Sequence, residues 1–412
     1  MDYFNYENGE LMVENVSLAR IAAEVGAPAY VYSRAAFVGR LKAFEAAFAD
    51  VDHLVCYSVK VNANLSLLRL AAAGGYGADI VSGGELFKAL RADFRPERIV
   101  FSGVGKTARE MAEALEAGIL MFNVESEEEL EVLAKTAADK NKRARVALRV
   151  NPDVDPKTHP YIATGLSGSK FGISHKEAPA VYARAAASPA LEAAGVACHI
   201  GSQLTDAAPF ADAAARLRGL TENLRAAGVD LKYMDMGGGL GIAYREGETP
   251  PTPAEYAARI KNVVDGLGVK LILEPGRFVA GNSGVLLATV LYNKQNGAKR
   301  FVVTDCAMND LIRPSLYGAW HDIVPVRKSG APPATVDVVG PVCESGDFMG
   351  KDRPLQPLVA GDLLAVKGAG AYGFAMSSNY NARPRAVEVL VDGDNFKIIK
   401  PRETYEDLVR GE

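Results

Sequence analysis

The chain reads as an α/β protein, a closed (β/α)8 barrel followed by a mostly β C-terminal domain. Three observations predict this. From residue 33 onward, short runs rich in Val, Ile and Leu alternate with amphipathic, alanine-rich segments. The alternation yields eight strand candidates before it stops. Beyond Gly276 sustained helical periodicity is lost, and strand-like runs separated by turn residues take over. With 412 residues, of which 49% are hydrophobic, the chain is long enough for at least one large core and more than one domain.

A first helix is expected near 33–49, followed by strands at 53–60, 77–82, 98–102, 119–124, 145–150, 195–200, 231–236 and 270–274. Helical segments at 65–73, 85–92, 107–117, 127–138, 209–227 and 254–267 separate them, with Gly74, Gly118, Gly195, Gly228 and Gly268 at or near helix ends. A doubly wound open sheet is the rival, but it rarely runs to this many regular units before changing character. Strand-like runs at 285–292, 300–304, 336–339, 363–367 and 386–391 make up the β domain. The expected division is a segment 1–26 joining the β domain, a barrel over 27–276 and the β domain over 277–412.

The formal net charge of −4 offers no field for nucleic acid or an anionic membrane. The opening MDYFNYENGELM has neither a basic nor an apolar leader region, and no stretch approaches bilayer length, so a cytoplasmic protein is expected. Cys56, Cys198, Cys306 and Cys343 form no C-x-x-C pair, and the five histidines never fall at metal-ligand spacing, so no metal is expected. Small-molecule chemistry is the default.

In a barrel enzyme the chemistry gathers where the strands end, because the βα loops build that rim. The strand ends here carry Lys60 and Asn62; Asp79 and Ser82; Ser102; Asn123 and Glu125; Arg149 and Asn151; His199 and Ser202; Asp235 with Gly237, Gly238 and Gly239; and Glu274 with Arg277. Polar groups therefore converge on one mouth. Period-two alternation puts Cys56, Ser58 and Lys60 on one strand face, which directs an amine into a confined site. Desolvation makes such an amine partly neutral and able to condense with a carbonyl.

Gly237, Gly238 and Gly239, with Gly276 in the next loop, close the seventh and eighth strands, the usual phosphate site of this architecture. An amine facing a phosphate cradle fits pyridoxal 5′-phosphate (PLP) and equally a sugar-phosphate aldolase. Glu274 discriminates, because a carboxylate beside a pyridine nitrogen keeps it protonated and makes the ring an electron sink. His199 could stack on that ring.

The segments YSVKVN (57–62), GADIVSGGEL (77–86), HIGSQ (199–203), GGG (237–239), EPGR (274–277), CESGD (343–347) and AGAYG (369–373) together resemble the fold-type III PLP-dependent decarboxylases, and within them the diaminopimelate decarboxylase family. The resemblance runs in order along essentially the whole chain. One departure is that Ser58 and Val61 stand where the lysine motif often has alanine.

The resemblance implies that Lys60 holds PLP covalently, with Asp79 also binding the cofactor, Glu274 at the ring nitrogen and His199 on the ring face. Ser202, Gly237, Gly238, Gly239, Gly276, Arg277 and Tyr372 would surround the phosphate and adjoining pocket. Arg277, Arg313, Tyr317, Glu344 and Tyr372 would bind substrate, Arg313 and Tyr317 taking a distal carboxylate and Glu344 an ammonium. Cys343 would return a proton after decarboxylation and would come from the partner subunit of a homodimer. The implied reaction is decarboxylation of meso-2,6-diaminopimelate at its D centre to L-lysine and carbon dioxide, the last step of lysine biosynthesis. Decarboxylases of ornithine, arginine or carboxynorspermidine, and a non-catalytic relative binding a partner enzyme, are the alternatives. The polar segment 153–171 is too long for an ordinary βα link, and is either a lid over the site or a passive loop.

Overall fold

The computed structural model describes residues 3–154 and 169–412. The chain forms two compact units, one of Leu41–Ile242 and Thr249–Phe278, the other of the residues up to Arg40, Ala243–Glu248 and Val279–Glu412.

In the first unit, eight parallel strands close on themselves as expected: β1 (His53–Ser58), β2 (Gly77–Ile80), β3 (Ile99–Phe101), β4 (Met121–Val124), β5 (Ala144–Asn151), β6 (Leu191–Ala197), β7 (Tyr233–Asp235) and β8 (Lys270–Leu273). Each pairs with the next in sequence, and β8 returns to β1, matching Leu271, Ile272 and Leu273 to His53, Leu54 and Val55. A buried cluster including Leu54, Cys56, Val100, Met121, Ala147 and Ile272 packs strands against one another. A two-residue strand, Ile173–Ser174, adds a further parallel pairing to β5, and a helix at Ala178–Ala187 precedes β6.

Local signals explain where the helices begin. Thr107 and Glu110, and again Thr252 and Glu255, form reciprocal capping boxes, so each side chain satisfies an N–H that the first helical turn cannot. Ser82 caps Gly83–Arg91 by accepting from the Glu85 N–H at 3.2 Å. Helix Ala108–Ala117 stops at Gly118, whose φ of +76° suits a residue without a Cβ.

Two sequence expectations need correction here. The first strand ends at Ser58, and Val59–Val61 form a single 3₁₀ turn, so Lys60 is not on a strand face. The barrel unit also begins at Leu41 rather than 27. Ala29–Ser33 is instead a strand of the second unit, fully buried, antiparallel to Gly284–Asn296 and parallel to Val387–Asp392. Its partners are remote in sequence, which local pattern reading cannot reach.

The second unit is mostly sheet. Its strand order runs Phe348–Leu355, Ala334–Val339, Lys299–Thr304, Gly284–Asn296, Ala29–Ser33, Val387–Asp392, Asn395–Lys400, with Leu363–Val366 also pairing Gly284–Asn296. The opening strands Phe4–Glu7 and Glu10–Val13 form a hairpin, and Phe4, Leu11 and Val13 pack in one core with Val31, Leu287 and Val389.

Candidate functional site

The polar strand ends of the barrel do meet. Lys60 Nζ donates to Asp79 Oδ2, a carboxylate oxygen of a fully buried residue at the end of β2. Ser58 Oγ sits 2.9 Å from the same Oδ2 and 2.9 Å from the Glu274 carbonyl oxygen. Oδ1 of Asp79 has no donor among the described residues. The turn after β1 therefore suspends an amine over a buried anion, with the lysine side chain one-third exposed.

Below this pair lies a buried carboxyl network. Glu274, following β8, has Ser102 Oγ 3.4 Å from its Oε1, and Ser102 accepts from Asn123 Nδ2 at 3.0 Å. Asn123 also donates to Asp235 Oδ2 at 2.8 Å, and the Gly237 N–H donates to Asp235 Oδ1 at 2.8 Å. Burial, then the charges of Asp235 and Asp79, push the Glu274 carboxyl well above the usual range. Burial likewise raises Asp235, against the pull of its hydrogen bonds.

Just beyond β6, His199 Nδ1 accepts the Gly238 N–H at 3.2 Å. Its proton is then on Nε2, and burial followed by the nearby Arg149 charge holds the ring neutral, its pKa well below the ordinary imidazole value. Arg149 donates to Glu125 Oε1 at 2.7 Å and lies 4.6 Å over the Phe171 ring.

The glycines are there because loops approach too closely for a side chain. A Cβ on Gly238 would stand 2.2 Å from the Glu274 carbonyl oxygen, one on Gly239 2.5 Å from that of Gly201, and one on Gly276 2.6 Å from Val61 Cγ1. The N–H groups of Gly237 and Gly238 already serve Asp235 and His199, whereas those of Gly239 and Gly276 bond to none of the described residues. Beside them Arg277, 7% exposed, holds Ser202 Oγ at 3.2 Å from Nε and 2.9 Å from Nη2. This corner presents a guanidinium, a hydroxyl and backbone donors, the chemistry of an oxyanion site.

The remaining residues singled out from sequence belong to the β unit. Arg313 opens the short helix Arg313–Tyr317 and is buried. Its Nη1 is 2.8 Å from His321 Nε2 and its Cζ 4.5 Å over the Tyr244 ring. His321 Nδ1 is 2.8 Å from the Lys367 carbonyl oxygen, so that nitrogen carries the proton and Nε2 accepts from the arginine. Tyr317 ends the helix half-buried. Cys343 and Glu344 are exposed, the first donating its N–H to Asn381 Oδ1 at 2.8 Å, the second accepting from the Tyr380 hydroxyl at 3.4 Å. Tyr372 has φ +57°, a backbone state that side chains other than Gly and Asn seldom adopt. The segment 153–171 lies largely outside the described residues.

Sequence reading noted Ser102, Asn123 and Asp235 as strand ends without giving them a role. Their signal was position alone. It overlooked Glu85, which accepts the Val81 N–H at 2.8 Å and whose carboxyl burial pushes up to about 7, with Lys60 opposing. Lys106 and Glu129, a buried ion pair at 2.8 Å, were also missed, because Lys106 falls in a connecting loop and Glu129 reads as an ordinary helix-face charge.

A family model described as "Pyridoxal-dependent decarboxylase, pyridoxal binding domain" matches residues 34–281. The diaminopimelate decarboxylase of Pseudomonas aeruginosa is 53% identical over 412 residues, covering 100% of this chain and 99% of the relative. That of Vibrio cholerae is 52% identical over 413 residues, covering 99% and 98%. Among solved structures, diaminopimelate decarboxylase from Helicobacter pylori complexed with L-lysine superposes with a TM-score of 0.92 at 43% identity, covering 95% of this chain and 98% of that one. The enzyme of M. jannaschii in co-complex with L-lysine gives 0.95 at 36% identity, covering 99% and 97%. With a buried carboxylate holding the barrel lysine and full-length identity at this level, the chain belongs to the diaminopimelate decarboxylase family of pyridoxal-dependent decarboxylases.

Proposed function

We propose that this chain decarboxylates meso-2,6-diaminopimelate to L-lysine and carbon dioxide with PLP as cofactor, the last step of lysine biosynthesis. The observation that carries the proposal is the Lys60 amine paired with buried Asp79 on the same barrel mouth as neutral His199 and a Glu274 carboxyl pushed toward its protonated form. The residues fit PLP. Gly239 and Gly276 leave backbone donors without an acceptor among the described residues next to Arg277 and Ser202, and a Cβ at either glycine would collide with its surroundings.

When bound, PLP supplies an electron sink for the pair released as the carboxylate leaves. The chain does the rest. Lys60 provides the amine that would hold the cofactor at rest, and Asp79 accepts a hydrogen bond from its Nζ while the amine is free. Glu274 would meet the ring nitrogen. His199, uncharged and aromatic, offers a flat face without a competing cation. Ser202, Arg277, Gly237, Gly238, Gly239 and Gly276 would hold the phosphate end, and Tyr372 would border the substrate.

Arg313, with Tyr317 and Arg277, takes the distal carboxylate of the substrate, and Glu344 its distal ammonium. A ligand lacking that carboxylate would leave a buried guanidinium unmatched, costing about 1–3 kcal/mol. Arg313 is suited to this because His321 and Tyr244 fix its plane. Cys343 returns the proton to the substrate carbon. Its exposure within a single chain supports a role completed by a second copy, so the active form is a homodimer with shared sites. Among the described residues no helix is long and apolar enough to cross a membrane, and the reading places the enzyme in the cytoplasm.

The test is to supply the purified protein and PLP with meso-diaminopimelate, and in parallel with L-ornithine and L-arginine, and to measure carbon dioxide and L-lysine against Lys60→Ala. Absence of both products from the wild type would sink the proposal. Faster turnover of ornithine would reassign the substrate.

A further inference from the structure

Asp235 and Glu274 are neighbouring buried carboxyls at the ends of β7 and β8, 0% and 6% exposed, within hydrogen-bonding reach of one another. Two carboxyl groups so placed cannot both be ionised, and the pair holds a proton between them. Which one carries it depends on the donors each receives. Asp235 accepts two strong hydrogen bonds at 2.8 Å, from Asn123 Nδ2 and the Gly237 N–H. Among the described residues Glu274 has only the Ser102 hydroxyl, at 3.4 Å. The anion belongs on Asp235 and the proton on Glu274.

The surrounding charges agree with this assignment. Asp79, on β2, adds a second negative charge that favours the protonated form of Glu274, and Lys60, on the turn after β1, opposes it more weakly. Cys56 on β1, Cys198 after β6 and Tyr256 on helix Pro253–Val264 are all pushed up, chiefly by burial, and stay neutral. His199 is held neutral as well.

We propose that Asp235 is a positioning residue for Glu274: braced by Asn123 and Gly237, it accepts a hydrogen bond from the Glu274 carboxyl and keeps the single proton of the pair there, so that the ring nitrogen of PLP meets an acid. This rests on the reading that PLP binds at this mouth. Passing the proton from Glu274 Oε to the ring nitrogen leaves a carboxylate facing a new N–H, and no outside acid is consumed. The negative charge remaining on Asp235 would then favour a protonated ring nitrogen.

The experiment is ¹³C NMR of the full-length protein labelled at glutamate side-chain carboxyls, titrated with pH before and after PLP addition, with Glu274→Gln identifying the signal. In the wild type the Glu274 signal is expected to stay protonated after ordinary glutamates have ionised, and to shift to the ionised position when PLP binds. In Asp235→Asn it should titrate at roughly 10–1000-fold higher proton concentration, the usual effect of removing one adjacent charge. Asn123→Ala, which strips one direct donor from Asp235 and reaches Glu274 only through the Ser102 hydroxyl, should move it in the same direction and serves if Asp235→Asn does not fold. A Glu274 signal that titrates in the ordinary range in the wild type, or that neither variant moves, overturns the inference. If the variants behave as expected but PLP leaves the signal unchanged, the coupling stands and the cofactor reading fails.

Discussion

Gly238→Ala tests how tightly the glycine run is built into the mouth. The new Cβ would stand 2.2 Å from the Glu274 carbonyl oxygen, a backbone atom that cannot rotate away. Relief requires the loop after β7 or the Glu274 backbone to move by close to ~1 Å in a packed interior. Such overpacking costs about 1–3 kcal/mol. At about 2–4 °C per kcal/mol for a unit of this size, the melting temperature should fall by about 2–12 °C. The same movement displaces the Glu274 carboxyl, and a misplacement of this order costs roughly 10²-fold in turnover. Gly219→Ala is the control, because Gly219 lies inside helix Ala208–Ala226 with nothing within 4 Å of its added Cβ. It should gain about 0.5–1 kcal/mol from helix propensity. Thermal melts and steady-state decarboxylation on both variants decide the matter. A Gly238→Ala protein that melts and turns over like the wild type would refute the close-approach reasoning.

Lys60→Ala should abolish both turnover and borohydride-fixed retention of PLP, measured by mass spectrometry of the intact chain. Cys343→Ala, at an exposed position, should leave the melting temperature unchanged while lowering kcat by about 10²–10⁴-fold, the range for loss of a positioned acid. Arg313→Met should raise KM for diaminopimelate by about 10–100-fold, equivalent to losing one charge-assisted contact, with a smaller effect on any substrate lacking the distal carboxylate. The His53 and Glu45 pair, 3.4 Å apart, links stability to pH. Its hydrogen bond raises His53 above 6.5 and lowers Glu45 below 4.5. The histidine contribution is fully present below 6.5 and fades as pH rises through its folded value, whereas the glutamate contribution is present above 4.5 and fades as pH falls through its folded value. The stability difference between wild type and His53→Asn should therefore peak between those limits, at under about 1 kcal/mol because Glu45 is half exposed. Chemical denaturation at several pH values measures it.

Much of the barrel was legible because its strands are short apolar runs punctuated by helix caps, and each neighbour in space is also the next in sequence. Thr107 with Glu110 and Ser82 before Gly83–Arg91 are signals that a local reading can use. The β unit was harder. Phe348–Leu355 carries Lys351, Asp352, Arg353 and Pro354 and shows no period of two, yet it pairs with Ala334–Val339. Ala29–Ser33 was not picked out as a strand, because the strands it pairs with, Gly284–Asn296 and Val387–Asp392, lie far along the chain.

By itself the sequence determined which chemical groups stand at which strand ends, since eight repeats of one local pattern dictate the closed sheet and hence a common rim. Only the tertiary structure decided what those groups do to one another. That Lys60 leaves the strand to reach Asp79, that Asp235 takes two donors while Glu274 takes one weak contact, and that His321 braces Arg313 all depend on distances of a few ångström between distant segments. Hydrogen bonding and desolvation act over just that range. A linear pattern names the partners but leaves open which of them holds the proton.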